Sequence, residues 1–88
     1  MSNTNEHNHD PKQVTIYINS DPRVVDKGKI SFDQIVSMAF PGLSEDEWAF
    51  TVTYERGNAP HPQGILVKGK DVEVVEGMRF NVTKTVRS

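Results

Sequence analysis

The chain has 88 residues, with 12 acidic against 10 basic side chains, a net charge near −2 and no cysteine. The missing cysteine excludes disulfides, thiolate metal sites and cysteine nucleophiles, and the lack of any Lys/Arg stripe argues against nucleic acid as a partner. No apolar run approaches the roughly 18 residues of a membrane span and no basic-then-apolar leader opens the chain, so one soluble cytoplasmic domain is the expectation.

Met1 to Lys12 is polar and without periodicity, so residues 1–12 read as a disordered N-terminal tail and residues 13–88 as the folded domain. The tail carries His7, His9 and Asp10, but two imidazoles without a fixed scaffold bind metal weakly, and no metal site is expected. Gln13 to Asn19 alternates, with Val14, Ile16 and Ile18 on the inward face and Thr15, Tyr17 and Asn19 on the other. Ser20-Asp21-Pro22 has turn chemistry, and Arg23-Val24-Val25-Asp26 forms the returning strand of a hairpin. Lys27-Gly28-Lys29 breaks that strand.

The stretch from Ile30 to Phe40 is the one clear helix. Ser31 and Gln34 have capping-box spacing, Ile30 and Ile35 have the spacing of a hydrophobic staple, and Phe32, Ile35, Val36, Ala39 and Phe40 make one apolar stripe. Pro41-Gly42 ends it. Ser44 and Glu47 again have capping-box spacing, consistent with a single helical turn or a plain acidic loop. Trp48 to Glu55 then alternates cleanly, with Trp48, Phe50, Val52 and Tyr54 on one face. Arg56 to Gly64 is a Gly/Pro-rich loop containing His61, which reads as a solvated loop histidine. Short strands follow at Ile65-Leu66-Val67 and Val72-Glu73-Val74-Val75, each closed by a glycine turn. Met78 to Thr85 is the last strand, with Met78, Phe80 and Val82 inward.

Strand, strand, helix, then further strands (β-β-α-β-β-β) is the order of an α+β β-grasp domain, a mixed sheet of four or five strands curled around one helix. The inward set would be Val14, Ile16, Ile18, Val24 or Val25, Phe32, Ile35, Val36, Ala39, Leu43, Trp48, Phe50, Val52, Ile65 or Leu66, Val74, Phe80 and Val82. Several segments carry a more specific resemblance. Ile30-Ser31-Phe32 with Ile35-Val36, Phe50 to Gly57, Pro62-Gln63-Gly64-Ile65-Leu66, Gly69-x-x-Val72-x-Val74 and Gly77-Met78-x-Phe80-Asn81-Val82-Thr83 resemble the bacterial multiubiquitin family of ubiquitin-like proteins. The resemblance spans about Val14 to Thr85. It implies a protein modifier or binding module working beside ubiquitin-activating-enzyme-like and ubiquitin-conjugating-enzyme-like proteins and a deubiquitinase-like peptidase.

Ubiquitin-type transfer uses a flexible C-terminal tail ending in Gly-Gly, because a Cβ would clash in the narrow channel that the tail threads. No glycine follows Gly77 in this sequence. The candidate tail is Val86, Arg87 and Ser88, whose carboxylate could be activated, but diglycine-type conjugation is not expected. If strand pairing stops between Thr83 and Thr85, the free reach is about 10–17 Å. The outer sheet face is the other candidate site, formed by Tyr17, Thr51, Thr53, Arg79, Asn81 and Thr83 together with Thr15. Tyr and Arg are enriched at interfaces, although a simple solvated sheet face would look the same. No Ser/His/Asp set and no phosphate-binding loop occurs, so no enzyme and no cofactor are expected. The alternative to a pathway module is a self-assembling structural protein, a homo-oligomer built through exposed sheet edges or the N-terminal tail. A sulfur carrier is disfavoured for want of the terminal glycine.

Overall fold

A computed structural model describes residues 12–87. Residues 1–11, which hold most of the expected tail and the His7–Asp10 cluster, lie outside the described residues, as does Ser88. The elements run β1 (Gln13–Ile18), β2 (Asp21–Asp26), β3 (Gly28–Ser31), α1 (Phe32–Ala39), β4 (Trp48–Glu55), β5 (Gly64–Leu66), β6 (Asp71–Val74) and β7 (Arg79–Val86).

The helix begins as its sequence dictates. Gln34 N donates to Ser31 Oγ at 3.1 Å while Ser31 N donates to Gln34 Oε1 at 2.9 Å, so the box satisfies two donors at the start of α1. Ile30 and Ile35, the two staple residues, are both buried. The apolar stripe rests on a five-stranded sheet of order β2-β1-β7-β4-β5. β1 and β7, the first and last strands, run parallel at its centre and every other pair in it is antiparallel, so the sheet is mixed.

The hairpin between β1 and β2 turns at Asn19 and Ser20 rather than at Ser20-Asp21-Pro22. Both turn residues have positive φ (51° and 76°), the left-handed backbone region that lets a two-residue turn match the right-handed twist of its strands. The Asn19 side chain then does what the next residue of β1 would have done. Its Oδ1 accepts from Val82 N at 2.8 Å and its Nδ2 donates to Val82 O at 3.2 Å, extending the β1–β7 seam past the end of β1.

One strand was not foreseen. Gly28–Ser31, read as a break and a helix cap, pairs antiparallel with β6 in a separate two-stranded sheet. Gly28 takes φ +121° to turn the chain out of β2 into it. At Ser44, where the spacing is consistent with a single helical turn or a plain acidic loop, the chain makes one hydrogen-bonded turn, with Asp46 N donating to Ser44 Oγ and both Glu47 N and Trp48 N donating to Ser44 O.

The core comprises Val14, Ile16, Ile18, Ile30, Phe32, Ile35, Val36, Val52, Leu66, Val74, Met78, Phe80 and Val82. Most of the expected inward set is therefore inside, and Leu66 rather than Ile65, with Val25 rather than Val24, faces it. Leu43 is exposed, contrary to expectation, and Trp48, Phe50 and Tyr54 are only half-buried. For the three β4 residues the reason is length. α1 has eight residues and is about 12 Å long, whereas the eight residues of β4 span about 26 Å. The helix cannot cover both ends of the strand. Phe40 stacks on Phe50 (6.0 Å between ring centres), and Lys84 lays its ammonium 4.3 Å from the Trp48 ring centre. Among the described residues no helix is long and apolar enough to cross a membrane.

Candidate functional site

The alternation of β1, β4 and β7 places all six expected face residues on the side of the sheet away from α1, and the register sets them in rows. Thr51 stands opposite Thr83, Thr53 opposite Asn81, and Glu55 opposite Arg79, which lies beside Tyr17 across the parallel seam. The Arg79 guanidinium carbon is 5.4 Å from the Tyr17 ring centre, a cation–π contact that fixes both side chains. Arg79 Nε is buried without a hydrogen-bond partner among the described residues. Arg79 also has no ion pair there, even though Glu55 is its cross-strand neighbour. A guanidinium held rigid on an aromatic ring and left uncompensated suits an acidic group arriving from outside.

Two apolar residues extend this face beyond what alternation indicated. Ile65 lies opposite Thr53, and both Ile65 and Val67 are exposed, at 66% and 50%. Parity could not be read from a three-residue strand. The side chains of Tyr17, Thr53 and Arg79 are partly covered by their neighbours, while Thr51, Asn81 and Thr83 are open to solvent.

The C-terminal residues sit differently from the sequence expectation. Pairing does not stop between Thr83 and Thr85: Val86 is still in register with Trp48. Arg87 N then donates to Glu47 O at 2.9 Å, and Arg87 Nε donates to Glu45 O at 2.7 Å and to Trp48 O at 3.3 Å. Val86 and Arg87 are thus the end of a strand and its clamp rather than a free tail. Beside this end lies a groove of about 390 Å³ lined by Glu45, Phe50, Thr51, Val67, Lys68 and Arg87 among others. Lys68 closes one side, with Nζ 2.8 Å from Asp33 Oδ1 and 2.6 Å from Glu45 Oε1. Hydrogen bonding to Asp33 first and Glu45 second raises the Lys68 pKa above its ordinary 10.5.

Among the described residues no cluster of three or more His, Asp or Glu could hold a metal ion. His61 is exposed in the loop before β5.

A capped helix held against a mixed sheet whose first and last strands lie side by side in parallel, with a polar outer face, defines a ubiquitin-like β-grasp domain. The family model described as multiubiquitin matches residues 14–86, and the chain belongs to that family. No curated protein and no solved structure matches the chain.

Proposed function

We propose that this chain is a protein-binding module of a ubiquitin-conjugation-like pathway in the cytoplasm, engaged through its outer sheet face and not through diglycine-type transfer of its C-terminal residues. The observation that carries this reading is the state of Val86 and Arg87. Threading these residues into an enzyme's channel would break the Val86–Trp48 pairing and three Arg87 hydrogen bonds before any contact was gained. The outer face needs no such rearrangement. Its Tyr17–Arg79 pair is held in place, and its threonine rows supply hydroxyls at regular spacing. The partners that fit are ubiquitin-activating-enzyme-like or ubiquitin-conjugating-enzyme-like proteins presenting a carboxylate to Arg79, with a deubiquitinase-like peptidase as a further candidate.

The test incubates the full chain with ATP and an activating-enzyme-like protein encoded in the same genome, reading binding by calorimetry and the chain by intact mass. The expected result is a complex in which the chain keeps its mass and which Arg79→Glu weakens at least about tenfold. An adduct formed through the C-terminal carboxylate, with binding indifferent to Arg79→Glu, would overturn the reading.

A further inference from the structure

The sheet ends in two unlike edges. β5 is three residues long, a short edge of the kind that resists pairing, whereas β2 offers six residues along the opposite side. The direction of the β2 backbone follows from its neighbour. Gly77 N donates to Thr15 O, Tyr17 N to Met78 O and Asn19 N to Phe80 O, so the odd residues of β1 are committed to the β7 side. The even residues Val14, Ile16 and Ile18 therefore bond β2 at Val25, Arg23 and Asp21. Pro22, Val24 and Asp26 must then aim their backbone groups away from the sheet, and of these only Pro22 lacks an N–H. Val24 is 53% exposed.

We propose that β2 pairs antiparallel with β2 of a second copy of this chain about a twofold axis at Val24, joining two five-stranded sheets into one. Val24 of each copy exchanges N–H and C=O with Val24 of the other. Asp26 N–H of each copy donates to Pro22 C=O of the other, giving about four backbone hydrogen bonds. The charges select this register. It sets Asp21 opposite Lys27 of the second copy, twice by symmetry, and neither side chain has an ion pair among the described residues. Sliding by two residues, the smallest step that keeps the backbone phase, sets Arg23 opposite Arg23 in one direction and Arg23 opposite Lys27 in the other. Like charges directly opposite destabilise a strand pair. On the helix side, a groove of about 370 Å³ bordered by Val25, Ile30, Gln34 and Met38 leaves room for the side chains of the second copy. The contact is isologous, so it closes at two copies and leaves the Tyr17–Arg79 face open.

Sedimentation equilibrium of the full chain from about 10 μM to 1 mM tests this, because a single strand pair makes a small and weak interface. A reversible monomer–dimer equilibrium is expected. Asp21→Lys and Lys27→Asp should each weaken it about tenfold or more, since each turns two attractions into repulsions. Mixing the two variants should restore dimer, because each supplies the charge that the other lacks, and circular dichroism of each variant confirms its fold. A strict monomer over the whole range, an assembly larger than a dimer, single variants that dimerise as wild type, or a mixture that stays monomeric would overturn the proposal.

Discussion

Replacing Asn19 with alanine removes two interactions and adds one strain. The Oδ1 and Nδ2 of Asn19 satisfy the backbone N–H and C=O of Val82, a residue only 3% exposed. The odd residues of β7 pair with β4, so these two Val82 groups face β1, where among the described residues the Asn19 amide meets them. Losing both bonds costs about 2 kcal/mol, at about 1 kcal/mol each. Asn19 also has φ +51°, where alanine is disfavoured by about 1 kcal/mol relative to asparagine. The total is about 3 kcal/mol, a large share of the stability of a domain this size. With a urea m-value of about 1 kcal/mol/M, the unfolding midpoint should fall by about 3 M. Asn19→Gly isolates the terms, because glycine accepts the positive φ and loses only the hydrogen bonds, so it should cost about 2 kcal/mol. Equilibrium urea unfolding followed by Trp48 fluorescence measures both variants. An Asn19→Ala midpoint within about 0.5 M of wild type would refute the bracing role of the side chain. The same bracket fixes the β1–β7 seam, and with it the approach of Arg79 to Tyr17.

Ile35→Asp places a carboxylate at a fully buried position with no partner, and the domain should be unfolded by circular dichroism at neutral pH. Gly64→Ala brings a Cβ to 2.9 Å from Tyr54 Oη and 3.1 Å from Cζ, so the ring must shift from its place 6.2 Å from Phe80. It should cost about 1–2 kcal/mol in chemical denaturation, and less in a Tyr54→Phe background. Lys68→Met removes two exposed ion pairs, so the melting temperature should fall slightly at low salt and match wild type within about 1 °C at high salt. Because the Lys68 pKa is raised, its contribution is complete below 10.5 and is lost only as pH climbs through the higher folded value; a loss seen near neutral pH would contradict the geometry.

The helix was legible in the sequence because its signals are local. Ser31, Gln34, Ile30 and Ile35 lie within six positions, and the cap formed by the first two is the one that their spacing indicates. β4 and β7 were legible because eight residues give alternation room to show. β3 left no such trace: four residues, of which Gly28 and Lys29 are exposed, run directly into the helix cap. Alternation puts Trp48 and Phe50 too deep because it reports which face a residue takes, not how far the helix reaches along it, and Leu43 lies in the loop between α1 and β4, where no alternation applies. The Asn19 bracket joins residues 63 positions apart and has no local signature at all. On the candidate site, alternation along each strand correctly separated Tyr17, Thr51, Thr53, Arg79, Asn81 and Thr83 from the core. Their assembly into adjoining rows depends on the parallel β1–β7 seam, which is tertiary information. The clamp on Arg87 was invisible for the same reason, since its acceptors lie in the turn before β4 and at the first residue of β4.

On the proposed reading, the outer sheet face docks the partner while Val86 and Arg87 stay bound to their own domain. Amide chemical-shift mapping with hydrogen exchange, on the full chain titrated with its activating- or conjugating-enzyme-like partner, tests both halves at once. Shifts centred on Tyr17, Thr51, Thr53, Arg79, Asn81 and Thr83 are expected, with the Val86 and Arg87 amides remaining protected. Shifts confined to Val86 and Arg87, with their protection lost and the sheet face unchanged, would contradict it.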